Sequence, residues 1–540
     1  MASSGGSKAP HPGRHDVSGA RWGIIIMATE TTRGPATTEP SVVPVISHWI
    51  DGRPTEVPPE VTGPVYDPST GQVIARVPRG GAADVDAAVA SAKAAFPAWR
   101  DTPLIARSYI LFAFRELVWR HREEMARLIT RDHGKTFPDA LGEVIRGLET
   151  VEFACGLPSA LAGLNTPNVA TNIDAFTLRQ PLGVTAAITP FNFPAMVPMW
   201  IYPIALACGN TMVWKPSSHT CGAAQLQAEL WTEAGLPDGV FNVVYGGREA
   251  VTAIVEHPDV AAIQFVGSTP VGRYVYETGT KLGKRVGSYT SAKNAMLVLP
   301  DADMELTADA AISAGYGSAG ERCMAQTLVI AVGDSGTRLR PLLEERIARL
   351  KIGPGLEPGV DMGPIYSAEH RESIIRWIDK GEAEGAELVA DGRDFEHPDH
   401  PDGFYLGVSL FDGVTPDMEI YQEEIFGPVL GIVHTATYDE GMALINGHKY
   451  ANGTAIFTTD GGAARRFKLD VHVPMIGVNV PIPVPAGYLS FGGAKGSAFG
   501  DLAMRGEDGI RFFTQQKMVT ERWPEPGRRG ALSLVFPGNE

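Results

Sequence analysis

The stretch Val184-Thr185-Ala186-Ala187-Ile188-Thr189-Pro190-Phe191-Asn192-Phe193-Pro194 decides how this 540-residue chain is read. Small and branched apolar residues around one threonine run into a turn bounded by prolines, the pattern of a buried strand, with a helix expected after Pro194. The same order then repeats. A strand is expected from Thr211 to Lys215, a helix from about Gly222 to Ala234, a strand from Val240 to Tyr245, a helix from Glu249, and a strand from Ala262 to Val266. A further helix opens at Gly267-Ser268-Thr269-Pro270. Such alternation means a parallel sheet covered on both faces. Ligands of these sheets collect at the carboxyl ends of the strands, so the turns at 189–194, 215–218 and 267–272 are the first places to look.

Outward from this region the α/β character persists. Upstream, strand-like sequence begins at Trp49, with turns at Asp51-Gly52 and Pro68-Ser69-Thr70-Gly71, and apolar residues fall at helical spacing from Asp84 to Trp99 and from Leu104 to Leu128. Downstream, a second alternating region covers about 295 to 480. Its strands are expected at Met296 to Leu299, Leu328 to Val332 and Pro428 to Val433, with helices from Leu339 to Leu350 and Ala368 to Glu384. The tail from Ser490 to Thr520 is glycine-rich and strand-like, ending in Arg511-Phe512-Phe513-Thr514. Residues 1–45 read as a disordered leader rich in Ser, Gly, Pro and Thr, with Met27 resembling an ordinary start. Their apolar cluster Ile24-Ile25-Ile26-Met27 is too short for a signal-peptide core.

The formal net charge of −16 argues against a nucleic-acid partner, and no Lys/Arg stripe overturns that. Cys155, Cys208, Cys221 and Cys323 show no metal-ligand spacing, so no metal site is expected. Four cysteines in so long a chain imply a reducing compartment, the cytoplasm ahead of a mitochondrial matrix. The uncharged run from Gln180 to Trp214 is punctuated by Pro181, Pro190, Pro194, Pro198 and Pro203. It reads as buried interior rather than a membrane span.

The clearest chemical signal is Gly317-Ser318-Ala319-Gly320-Glu321-Arg322-Cys323-Met324-Ala325. A thiol becomes nucleophilic when a cation or aligned N–H groups favour its thiolate, and Arg322 is the adjacent candidate cation. The plain alternative is a free cysteine acting as one more small buried hydrophobe.

Five segments in fixed order carry a family resemblance: Pro190-Phe191-Asn192-Phe193-Pro194, Lys215-Pro216-Ser217, Phe265-Val266-Gly267-Ser268-Thr269-Pro270-Val271-Gly272, the cysteine nonapeptide, and Glu423-Glu424-Ile425-Phe426-Gly427-Pro428-Val429. Over about residues 45 to 520 the chain resembles the aldehyde dehydrogenase superfamily. Gly320-Glu321-Arg322-Cys323-Met324-Ala325, Phe512-Phe513-Thr514-Gln515 and Lys284-Arg285-Val286 with Ala292-Lys293-Asn294 resemble its CoA-acylating, methylmalonate-semialdehyde branch. The resemblance implies a Rossmann-type cofactor domain (46–160 and 180–288), an α/β catalytic domain (289–486) and a small β oligomerisation extension (161–179 and 487–517), with a C-terminal tail from 518 to 540. A homo-dimer or homo-tetramer follows, because the extension would otherwise expose strand edges.

For the site the resemblance implies Cys323 as nucleophile, with the Asn192 amide and the Cys323 N–H as oxyanion donors. NAD is expected, on Lys215, Ser218, Gly267, Ser268, Glu424, Phe426 and Phe191. Arg322 and Arg146 are expected to bind the carboxylate of a short semialdehyde, since a guanidinium fork takes a carboxylate at two points. The plain alternative for Arg146 is an ion pair with Glu143 or Glu149.

Two departures from the family pattern bear on chemistry. Ser218 replaces a glutamate that would repel a 2′-phosphate, which leaves NADP open beside NAD. Tyr289 stands where hydrolytic relatives carry a glutamate base, and the loop reads Tyr289-Thr290-Ser291-Ala292 where the branch has Leu-Gly-Gly-Ala, so Thr290 and Ser291 replace two glycines. A phenol is a poor base at neutral pH, whereas a CoA thiol attacks a thioester by exchange without one. Three functions are therefore weighed: a CoA-acylating semialdehyde dehydrogenase, a hydrolytic dehydrogenase releasing free acid, and an inactive relative that binds nucleotide or only assembles.

Overall fold

The computed structural model describes residues 43–523; the expected leader thus lies almost wholly outside the described residues, as does most of the expected C-terminal tail. Two large sheets organise the described chain. The first has the strand order Arg53–Pro54, Trp49–Ile50, Phe241–Val243, Thr211–Lys215, Val184–Ile188, Val260–Val266, Arg285–Tyr289, Ala498–Phe499. Its five inner strands are parallel, and the pairs at both edges are antiparallel.

Alternation along these strands explains why both faces are covered. Val184, Ala186, Ile188 and Val213 pack into one apolar cluster with Val85, Val89 and Ile254, while Ala187, Met212 and Trp214 pack into another on the opposite face. The helix Met196–Ala207 lies in the second cluster, and every one of its residues is buried. This accounts for the uncharged run from Gln180 to Trp214; among the described residues no helix is long and apolar enough to cross a membrane. Phe114 stacks on Trp231 with ring centroids 3.7 Å apart, and Tyr202 meets both edge-on, so three helices interlock over the sheet.

The chain builds outward from Val184–Ile188 to Phe241–Val243, then returns to add Val260–Val266 on the other side. That reversal opens a crevice at the carboxyl ends of Val184–Ile188 and Val260–Val266, where a doubly wound sheet holds its ligand. The second sheet has the order Glu387–Ala390, Ser409–Asp412, Val429–Thr435, Gln326–Val332, Asn294–Val298, Gly453–Phe457, Met475–Val478, parallel except at its first pair.

Several sequence expectations are corrected. Leu104 to Leu128 is not one helix: Leu104–Arg120 and Arg122–His133 are separated at His121. The strand-like tail contains a helix, Gly506–Phe513, whose Ile510, Phe512 and Phe513 are buried while Glu507 and Asp508 occupy the first turn. Nor does 487–517 belong as a block to the small sheet. Ala494–Lys495 pairs with Tyr450–Ala451 and Ala498–Phe499 with Arg285–Tyr289. The three-stranded sheet is built from Asn165–Ala170, Ile173–Pro181 and Thr514–Glu521, so its last strand runs past residue 517.

Arg285 closes the tail helix. Its Nη1 lies 2.8, 2.5 and 2.8 Å from the carbonyls of Arg511, Phe512 and Thr514 and shares its two N–H groups among these oxygens, which a helix end leaves unpaired. Replacing Arg285 with Ala should cost about 1.5–3 kcal/mol, read as a lowered thermal midpoint with the secondary-structure spectrum kept.

Candidate active site

The turn that leaves the first sheet meets the loop that enters the second. Asn192 follows the strand Val184–Ile188, and its Nδ2 donates to the Glu321 carbonyl at 3.0 Å, just ahead of the strand Gln326–Val332. An amide has two N–H donors, so one remains for a substrate oxygen. The Cys323 carbonyl is held by Nδ2 of Asn294 at 3.0 Å and of Asn452 at 2.9 Å, from the starts of the two neighbouring strands. Ser318, Ala319 and Gly320 precede the cysteine in a left-handed turn, with φ of 54°, 52° and 74°. A β-carbon at 320 would lie 2.1 Å from the Gly427 carbonyl, so that position requires glycine.

Cys323 is half-buried, whereas the other three cysteines are buried. Burial, and then the nearby Glu424 carboxylate, push its thiol up to about 12 against the N–H groups of Cys323 and Met324 and the charge of Lys135. Arg322, the cation expected to do this work, is engaged elsewhere. Its Nη2 pairs with Asp139 at 2.8 Å and its guanidinium lies against Gly317. Against burial, that pairing holds the Asp139 carboxyl below its ordinary value.

The residues that fix this geometry include two that the sequence motifs do not single out for it. Lys135 and Glu143 form an ion pair at 2.8 Å, with neither side chain exposed. Lys135 also donates to the Asn192 carbonyl and lies 4.2 Å from the centre of the Phe193 ring. Glu143 accepts the N–H groups of Ala195 and Met196 at 2.8 and 3.2 Å, capping the helix Met196–Ala207. Burial raises the Glu143 carboxyl, and Lys135 with these two N–H groups opposes it.

The other expected residues separate into groups. Phe191 stacks on Tyr366 at 3.6 Å and meets Phe426 edge-on at 5.9 Å; Phe426 itself is left-handed, with φ of 58°. Glu424 accepts the Ala292 N–H at 2.9 Å, and burial lifts it to about 7 against that bond, Ser291 and Lys293. Lys215 is brought down to about 8 by burial. Ser218 lines an open cleft of about 420 Å³ with His219, Arg79 and Arg248. Gly267 donates its N–H to the Tyr289 carbonyl at 3.1 Å, and Ser268 is the N-cap of the helix Thr269–Lys281. Arg146 pairs with Glu149 at 2.6 Å and donates to the carbonyls of Val484 and Pro485, so its plain alternative is realised in this geometry.

The departing loop is stitched into the fold. Tyr289 is buried, and its hydroxyl donates to the Leu502 carbonyl at 2.8 Å. Thr290 donates to the Gly496 carbonyl, and Ser497 donates to that of Ser291. The Thr290 methyl also lies where a β-carbon at Gly272 would collide, at 2.3 Å.

The fold and this constellation, a half-buried cysteine beside the crevice of a doubly wound sheet, are those of a nicotinamide-linked dehydrogenase. The profile of the aldehyde dehydrogenase family matches residues 57–519, and the chain belongs to that family. It is 50% identical to malonate-semialdehyde dehydrogenase of Pseudomonas aeruginosa over 88% of this chain and 95% of that protein. It is 44% identical to the acylating, mitochondrial methylmalonate-semialdehyde dehydrogenase of Arabidopsis thaliana, over 94% of this chain and 84% of the relative. A Sinorhizobium meliloti 1021 protein of the methylmalonate-semialdehyde dehydrogenase type, solved in complex with NAD, superposes with a TM-score of 0.89 at 46% identity, covering 90% of this chain and 99% of the other.

Replacing Lys135 with Met would leave the Glu143 carboxylate buried without its partner, at a cost of about 3–5 kcal/mol. Thermal melting should show that loss and its partial recovery in the double variant K135M/E143Q. Turnover should stay low in both, because the Asn192 carbonyl has lost its anchor.

Proposed function

We propose that this chain oxidises a short carboxylated semialdehyde, of the malonate or methylmalonate semialdehyde type, with NAD and transfers the acyl group to CoA. The observation that carries the choice of CoA over water is Tyr289. Its hydroxyl proton is committed to the Leu502 carbonyl and burial pushes its ionisation above the ordinary range, so the place of a hydrolytic glutamate holds no base. The names of the malonate- and methylmalonate-semialdehyde relatives support the substrate class.

The thiolate of Cys323 adds to the aldehyde carbon, and the C=O pair becomes an oxyanion facing the free Asn192 N–H and the Cys323 N–H. Bound NAD supplies the hydride acceptor. Lys215 and Glu424 suit its ribose hydroxyls, the Ser268 end of the helix Thr269–Lys281 suits its pyrophosphate, and Phe191 and Phe426 wall the ring end. Loss of hydride leaves an acyl thioester on Cys323; the CoA thiolate attacks it and Cys323 leaves as thiolate. Arg322 uses two donors on Asp139 and the Ser313 carbonyl and keeps others for the substrate carboxylate. Arg146, the second carboxylate candidate, would have to exchange Glu149 and the carbonyls of Val484 and Pro485 for the substrate.

A hydrolytic route would need another base, and Glu424, lifted to about 7 by burial and close enough for its charge to act on Cys323, is the group that could serve. The exposed outer strand Asn165–Ala170 supports pairing across subunits into a homo-dimer or homo-tetramer. Four free cysteines suit a reducing compartment, which we take as the cytoplasm.

Mass identification of the product with and without CoA tests the main reading. A CoA thioester is expected, and C323A should abolish nicotinamide reduction while leaving the fold intact. Free acid formed equally without CoA would favour the hydrolytic route, and no reduction with any semialdehyde would refute the dehydrogenase. The cleft at Ser218 is rimmed by Arg79 and Arg248 against one carboxylate, Glu249, and so has room and net positive charge for a 2′-phosphate; NADP should also be accepted. Replacing Ser218 with Glu should lower kcat/KM for NADP by about tenfold or more and spare NAD.

A further inference from the structure

Behind the cysteine loop lies a polar cluster that the chemistry above does not use. Nε2 of His133 and Oε2 of Glu321 face each other at 3.5 Å, with side-chain exposures of 1% and 0%. Neither atom has a hydrogen-bond partner, and His133 Nδ1 has none either. The other Glu321 oxygen accepts the Tyr366 N–H at 3.3 Å and lies 3.9 Å from His370, whose Nε2 is 2.7 Å from the Phe426 carbonyl. Lys135 is the cation that acts on both groups, and it is already held by Glu143 and the Asn192 carbonyl. Asp139 is taken by Arg322.

An ionised carboxylate with a bare oxygen in such a place would go unsolvated. A carboxylic acid has one O–H to donate, and a neutral imidazole has one lone pair to receive it. Burial acts on both groups in that direction, raising Glu321 and, with Lys135, lowering His133. The backbone carbonyl of the same Glu321 receives the Asn192 amide, so whatever fixes Glu321 also fixes the nucleophile loop against the oxyanion donor.

We propose that Glu321, as a carboxylic acid, shares its proton with Nε2 of His133, and that this pair holds the Cys323 loop in register with Asn192. Both are positioning residues. The inference rests on the reading of Cys323 and Asn192 given above.

The test compares wild type with E321Q, which keeps a donor and an acceptor without charge, and E321L, which keeps neither. The infrared band of a protonated carboxyl should be present in wild type and reduced in E321Q at neutral pH. Alkylation of Cys323 by iodoacetamide should proceed at a rate within about twofold in the two, since replacing a neutral acid by an amide leaves the charge around the loop unchanged. E321Q should retain kcat within about threefold, and E321L should lose about tenfold or more with the aldehyde KM little changed. A missing band, an alkylation rate raised about fivefold or more in E321Q, or wild-type kcat in E321L would overturn the proposal. If E321L fails to fold, the spectrum and alkylation of E321Q still decide. If wild type reduces no nicotinamide, the dehydrogenase reading falls, while these two measurements, which need no turnover, continue to judge the pair.

Discussion

Lys135 and Glu143 meet at 2.8 Å out of reach of solvent, and between them they hold both ends of one turn. The lysine fixes the carbonyl of Asn192, and the carboxylate caps the helix that begins at Met196. A buried ion pair is a weak source of net stability, because desolvation offsets most of its attraction. Its contribution here is directional. Two charges, each also satisfied by backbone groups, hold the Asn192 backbone where its side chain reaches the Glu321 carbonyl.

From that contact the relation between the two sheets follows. The carboxyl end of Val184–Ile188 and the amino end of Gln326–Val332 are joined through Asn192 and Glu321, and the cysteine lies two residues further on. Asn294 and Asn452 reach the Cys323 carbonyl from neighbouring strands, so the loop is held from three sides. Such restraint accounts for the backbone of Ser318 and Ala319. Left-handed geometry costs an ordinary residue about 1–2 kcal/mol, and it persists where surrounding contacts over-determine it.

The sequence made the sheet alternation, the prolines around Asn192 and the cysteine nonapeptide readable, because each is local and strongly patterned. Lys135 and Glu143 are eight residues apart on either side of a helix start, and no spacing rule distinguishes them from solvated charges. Their role depends on a turn more than fifty residues away. The Gly506–Phe513 helix was obscured for a related reason: adjacent Phe512 and Phe513 suggest a strand, but both are buried in the helix and its end is closed by Arg285 from a distant strand. Arg322 was legible as a cation near the thiol, yet not as the partner of Asp139.

That last reassignment has a chemical logic. A guanidinium paired with the thiolate would be poorly disposed to bind a substrate carboxylate, since one positive charge would have to answer two anions. With Asp139 holding Arg322 from the side, thiolate formation falls to the N–H groups of Cys323 and Met324 and to Lys135, which are the groups that oppose burial at the sulfur. Arg322 retains donors of its own beside Cys323. On the proposed function, activation of the sulfur and recognition of a carboxylate would then be tasks of different groups, and a substrate without a carboxylate would forgo the second while leaving the first intact.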